Sequence, residues 1–155
     1  MKKKLESGLN KKLLRKISKH ILAHPKNLDM GVFYDVEPVK GKNMCGTIAC
    51  VAGWAVALGA KGYDVELEHK IKRINAFDPE LHPEELSNEI SSIDFEDDAR
   101  QILGLTDNQA EYLFHVGNWP EEFAVKYNAA YRKGRLAEAA KITVARIEHL
   151  IKHGE

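Results

Sequence analysis

Between Asn43 and Ala60 the chain runs for 18 residues without a charge, and the run NMCGTIACVAGWAVALGA holds three Gly and five Ala but only one Leu and one Ile. A stretch of this kind has few ways to fold. A membrane span needs about twenty predominantly apolar residues, and Gly and Ala drive insertion too weakly for this one, so no membrane association is expected. The remaining reading is a buried central helix over about residues 45–59. At the helical repeat, Gly46, Cys50, Gly53 and Ala57 gather on one side, and Ile48, Val51, Trp54 and Leu58 on the other. The second face fills a core. The first is smooth and lets another helix, or a flat ligand, come close.

The rest of the chain reads as helices around that one. Its 155 residues suit a single domain over 1–155, and 44% hydrophobic with 30% charged residues is a globular composition. From Asn10, NKKLLRKISKHILAH sets Leu13, Leu14, Ile17 and Ile21 against Lys11, Arg15 and Lys19, an amphipathic helix that Pro25 ends. Residues 27–44 carry Gly and Pro around a Val-Phe-Tyr run, which predicts a structured loop with a short β element near 31–39. Tyr63 to Phe77 is ambiguous between helix and strand, and Asp78 to Ile93, with Pro79 and Pro83, reads as a surface connection. FEDDARQILGL then predicts a helix stopped by Gly104, and the capping box TDNQ at Thr106 opens another. Pro120 starts a third, with Phe123, Tyr127 and Tyr131 in a row, and LAEAAKITVARIEHLIKHG forms the last. The expected fold is mainly α, an irregular single-domain helical bundle.

Charge is balanced overall but unevenly spread. Residues 1–20 hold eight Lys or Arg against one Glu, and residues 78–98 hold nine Asp or Glu and no Lys or Arg. Such blocks are most often solvated faces, and with no aromatic residue interleaving the basic run a nucleic-acid partner is not expected. Lysines interrupt any apolar core that a secretory signal would need. The two cysteines are too few for a disulfide framework and, five apart on a helix, badly placed to bridge, which points to free thiols in a reducing, cytoplasmic setting. His20 and His24, and again His149 and His153, stand four apart at helix ends, where the negative end of the dipole accounts for them. No metal and no cofactor is expected.

Chemistry concentrates where the loop gives way to the uncharged run. A helix starting at Cys45-Gly46-Thr47 would aim unpaired amides and the positive dipole end outward, a setting for an anion. Thr47 would cap or bind, Gly46 would permit close approach, and Cys45 would have a lowered pKa. A Cys45-dependent hydrolase or transferase would then need a base, and His69, His82 and His115 are the interior candidates. The papain-type pattern C-G-[SA]-C-[WY] fails here because Val51 follows Cys50.

The segments CGTIACVAGWA, LGLTDNQAEYLF and NWP resemble a group of small uncharacterised bacterial and phage proteins that share a C-G-T-x-x-C-x-A-G-[WH]-A motif, over roughly residues 28–60 and 99–120. That resemblance implies an accessory gene of a phage or mobile element, whose product inhibits a host factor or sequesters a host signal. The expected function is therefore a cytoplasmic binding protein, a counter-defence factor, that takes an anionic, nucleotide-like small molecule. Cys45, Gly46, Thr47 and Cys50 would receive the anion, and Tyr34, Trp54 or Trp119 would stack on a base. The alternative is a protein-interaction module that covers a host protein. A homo-oligomer is left open, and an enzyme is the lesser expectation.

Overall fold

A computed structural model describes residues 8–38, 45–75 and 83–155. It is mainly α, as the hydrophobic spacing predicts. In chain order the described elements are α1 (Lys11–Ala23), a 3₁₀ turn (Pro25–Asn27), β1 (Asp35–Pro38), β2 (Cys45–Ile48), α2 (Val51–Gly59), α3 (Val65–Asn75), α4 (Pro83–Ser91), α5 (Phe95–Leu103), α6 (Asp107–Phe114), a second 3₁₀ turn (Val116–Asn118), α7 (Glu121–Arg132) and α8 (Leu136–His153). No helix among the described residues is long and apolar enough to cross a membrane.

The amphipathic segments fold as their patterns require. Asn10 caps α1 by accepting the Leu13 amide at 3.1 Å, and Leu13, Leu14, Ile17 and Ile21 are all buried. Asp94 caps α5 in the same way. Gly104 ends that helix in the left-handed region at φ 68°, and a Cβ there would also strike the Gly8 carbonyl, so two constraints converge on glycine. The capping box closes in both directions, with Thr106 accepting the Gln109 amide and the Gln109 side chain accepting the Thr106 amide. Pro120 occupies the position just before α7 rather than its first residue.

Two segments differ from the sequence reading. The uncharged run is not one helix: Cys45–Ile48 is a strand, antiparallel to Asp35–Pro38 in the register Asp35↔Ile48 to Pro38↔Cys45, and the helix begins only at Val51. Within a continuous apolar stretch, periodicity does not separate a buried strand from a buried helix. The β element expected near 31–39 is therefore present at Asp35–Pro38, with residue 39 outside the described residues. The supposed surface connection 78–93 contains α4. Pro83 is its first residue, where a missing amide costs nothing, and Glu84 and Glu85 follow in its first turn. Residues 78–82 lie outside the described residues. Within the ambiguous 63–77 segment, residues 65–75 form α3, whose Leu67, Ile71 and Ile74 are buried at helical spacing, and residues 76–77 lie outside the described residues.

α2 is the hub. Val51 to Val56 are buried without interruption, which makes it a helix apolar on every side. It packs on α1 and α5, α1 packs on α8, and α8 on α7. A smaller cluster of Trp119, Tyr127, Ala130 and Ala139 sits under α7 and α8.

Candidate functional site

The Cys45-Gly46-Thr47 segment is not at a helix N-terminus. Its backbone belongs to β2, so the dipole and the open amides that would activate a thiol or receive an anion are elsewhere. The helix entrance falls at Cys50, and the chain itself fills it. Segment 27–33 runs alongside: the Ala49 amide donates to the Asn27 carbonyl at 3.0 Å, the Asp29 amide to the Ala49 carbonyl at 3.1 Å, and the Cys50 amide to the Val32 carbonyl at 2.7 Å. The Phe33 carbonyl lies so close over α2 that a Cβ on Gly53 would stand 1.7 Å from its oxygen. The four-residue smooth face does not form, because Gly46 lies in β2 and Cys50 caps α2; at Gly53 the close approach is made by the protein's own loop.

That loop is pinned from the other side by α7. The Met30 amide donates to the Tyr127 hydroxyl at 3.1 Å, and the Tyr131 hydroxyl donates to Asp29 at 2.9 Å. Burial pushes the Tyr127 hydroxyl up to about 12, and the hydrogen bond to Asp29 raises that of Tyr131.

The four described aromatic and thiol candidates are interior groups. Cys50, Trp119, Trp54 and Tyr34 are 1%, 4%, 5% and 5% exposed. Trp54 Nε1 donates to the Asn27 carbonyl at 3.0 Å, Trp119 Nε1 to the Leu113 carbonyl at 2.8 Å, and the Tyr34 hydroxyl to Asn75 Oδ1 at 2.7 Å. Tyr34 also stacks on Phe95. A buried indole or phenol needs such a partner, and each has one. Burial pushes the Cys50 thiol up to about 11, against the opposing pull of the Gly53 and Ala52 amides. This thiol is a core side chain rather than a nucleophile. Of the three candidate bases, His69 is exposed on α3, His82 lies outside the described residues, and His115 pairs with Glu96.

Open concave surface lies elsewhere. A cleft of about 340 Å³ is bounded by Asp94, Glu96, Asp97, Arg100, Asp107, Ala110, Glu111, Phe114 and His115. It forms between the first half of α5 and the length of α6. Arg100 spans it, 2.8 Å from Asp97 and 3.4 Å from Asp107, and its guanidinium pKa is raised chiefly by the Asp97 hydrogen bond. Asp94 is used by its own helix cap, and Asp97 also accepts from Gln101 at 2.7 Å. Dipole stabilisation accounts for acids in the first turns of α5 and α6. Glu111 sits a turn further along α6, exposed at the cleft wall, so that account does not reach it. Phe114 and Ala110 give an apolar floor.

A wider groove of about 700 Å³ opens at the start of α8, bordered by Lys26, Arg135, Lys141 and Glu138. No side chain caps this 18-residue helix. Arg135 leans toward Glu138 at 3.7 Å, which offsets part of the positive charge.

The sequence signalled parts of the acidic cleft. The acidic block reaches Asp97, and His115 was among the three candidate bases for Cys45. Asp107 and Glu111 share a face at four-residue spacing, but only the packing of α5 against α6 sets them opposite Glu96 and Asp97. No family model matches the chain, and no match is found among curated proteins or solved structures.

Proposed function

We propose that the chain is a protein-interaction module, without catalytic chemistry of its own, that offers the cleft between α5 and α6 to a cationic side chain of a partner protein. The observation that carries this is the cleft itself: five carboxylates bound a cavity with an apolar floor, against one arginine and one histidine. A guanidinium or ammonium group on an aliphatic stem matches that combination, since its stem covers the apolar floor while its head meets carboxylates. Resemblance to phage accessory proteins makes a host protein in the cytoplasm the natural partner and counter-defence the natural setting. A tetra-arginine peptide titrated into the labelled protein tests the chemistry. Amide shifts should gather at residues 94–97 and 107–115, weaken with salt, and disappear in Glu111→Lys; a titration that leaves those amides unmoved sinks the reading.

The uncapped start of α8 favours a second reading, an anionic, nucleotide-like ligand at a helix N-terminus. It keeps the ligand chemistry expected from sequence and moves it from Cys45-Gly46-Thr47 to Lys26, Arg135 and Lys141. A nucleotide panel that raises the melting temperature of the protein, but not of Arg135→Glu, would put this reading first.

A further inference from the structure

The chain closes two helices with histidines four residues apart: His20 and His24 at the end of α1, His149 and His153 at the end of α8. Spacing alone marks them as helix-end cations. Ring positions add a further constraint. The rings of His149 and His153 have centres 4.6 Å apart. Two imidazoles that bind one ion through nitrogens at about 2.0–2.1 Å hold their ring centres roughly 4.5 Å apart at a right-angled ion and roughly 5.2 Å apart at a tetrahedral one. The two rings stand close enough for one ion to bridge them once each ring turns a nitrogen toward it.

We propose that His149 and His153 form a two-histidine site for a borderline divalent ion such as Zn²⁺ or Cu²⁺, with water in the remaining positions. Imidazole is a preferred ligand for both ions. His149 is half-buried and set edge-on against Phe123 at 5.4 Å, which restrains one ligand before the ion arrives. His153 is exposed, so the ion enters from solvent. The negative end of the α8 dipole favours a cation at this turn. No group of three or more His, Cys, Asp or Glu gathers for a metal among the described residues. The coordination sphere is therefore left open to an outside ligand, in the manner of sites that keep exchangeable positions.

The α1 pair has a similar separation, 5.0 Å, but a different setting. His20 Nε2 is buried with no hydrogen-bond partner, and its ring lies 4.2 Å from that of Trp54. That nitrogen is shut away from an incoming ion, so the pair serves as an internal control.

The test titrates Zn²⁺ alone into the full chain in a non-chelating buffer, followed by heat and by histidine ring signals. The expected result is saturable uptake of a single ion, ring shifts confined to His149 and His153, and a melting temperature that rises with free Zn²⁺. His153→Gln, at an exposed position in the last turn of α8, should abolish uptake, and His20→Gln should leave it intact. Binding that never saturates, binding that survives His153→Gln, or binding lost in His20→Gln overturns the assignment.

Discussion

The entrance to α2 and the cleft between α5 and α6 make opposite uses of the same geometry. At α2 the residues are small and uncharged, and the space they leave is taken by segment 27–33, whose carbonyls and amides pair with Ala49 and Cys50. At α5 and α6 the residues are long and charged, and the space between them stays open. Small residues invite close approach, but the nearest backbone is usually the chain's own, and evidence of a ligand has to be sought where side chains hold a cavity apart. Substitutions in the two regions should therefore separate cleanly. Those at α2 should change stability, and those at the cleft should change binding.

The sharpest break is Gly53→Ala. Its new methyl would lie 1.7 Å from the Phe33 carbonyl and 2.7 Å from the Ala49 Cβ, so the backbone of the loop must move. Overpacking of this kind should cost about 3 kcal/mol or more in urea unfolding. Gly59→Ala is the matched control. There the methyl meets Ile102 Cγ2 at 2.5 Å and Leu13 Cδ2 at 2.7 Å, ends of flexible side chains, and the cost should be about 1 kcal/mol, partly offset by the helix preference for Ala. Equal losses at the two positions would mean that the 27–33 segment does not sit on α2 as described.

A second test reads the same burial through protons. The Cys50 thiol is pushed from its ordinary 9.0 to about 11, so the folded chain holds this proton more tightly than the unfolded chain. Its contribution is complete below pH 9 and is lost as pH rises through about 11, a fall on the order of 2–3 kcal/mol. Tyr127, pushed up to about 12, continues the fall at higher pH. Urea midpoints for wild type and Cys50→Ala should converge between about pH 9 and pH 11. In the folded protein, iodoacetamide should reach Cys50 only as fast as the structure opens. Rapid alkylation near neutral pH would return a reactive thiol to consideration.

Where the sequence was legible, local physics and tertiary packing agreed. α1, α5, α6 and α8 could be read because an amphipathic stripe coincides with a cap at Asn10, Gly104, Thr106 or Gly154. Nothing comparable marks the join between Ile48 and Val51. Both sides are apolar and small, and what divides strand from helix is pairing with Asp35–Pro38 and bonding to segment 27–32, contacts that the run's own spacing does not encode. The candidate site was misplaced for the same reason, since its chemistry rested on where the helix began. Trp54 was legible as a core residue from its helical spacing, whereas Trp119 and Tyr34, expected to stack on a base, are buried as well. The partners of all three, the Asn27 and Leu113 carbonyls and the Asn75 side chain, were not legible, because no local spacing marks such an acceptor.

Thr106→Ala falls between the two regions. The capping box fixes the start of α6, and with it the position of Asp107 beside Arg100. Its removal should cost about 1 kcal/mol. It should also weaken the tetra-arginine response in part, as a change in positioning rather than in charge. A full loss of stability would place α6 in the core's cooperative unit more firmly than its eight residues suggest.

The smallest effect on stability should come from Glu111→Lys, and its smallness is what gives it value. The side chain is exposed at the wall of the cleft, so folding should change by no more than about 0.5 kcal/mol. The new cation joins Arg100 in the lining of the cavity and turns an attractive site for guanidinium into a repulsive one, which should abolish peptide binding while the urea midpoint stays where it was. The opposite pattern, stability lost and binding kept, would make Glu111 a structural residue. Gly53→Ala and Glu111→Lys together therefore decide whether the sealed entrance and the open cleft differ in role or only in appearance.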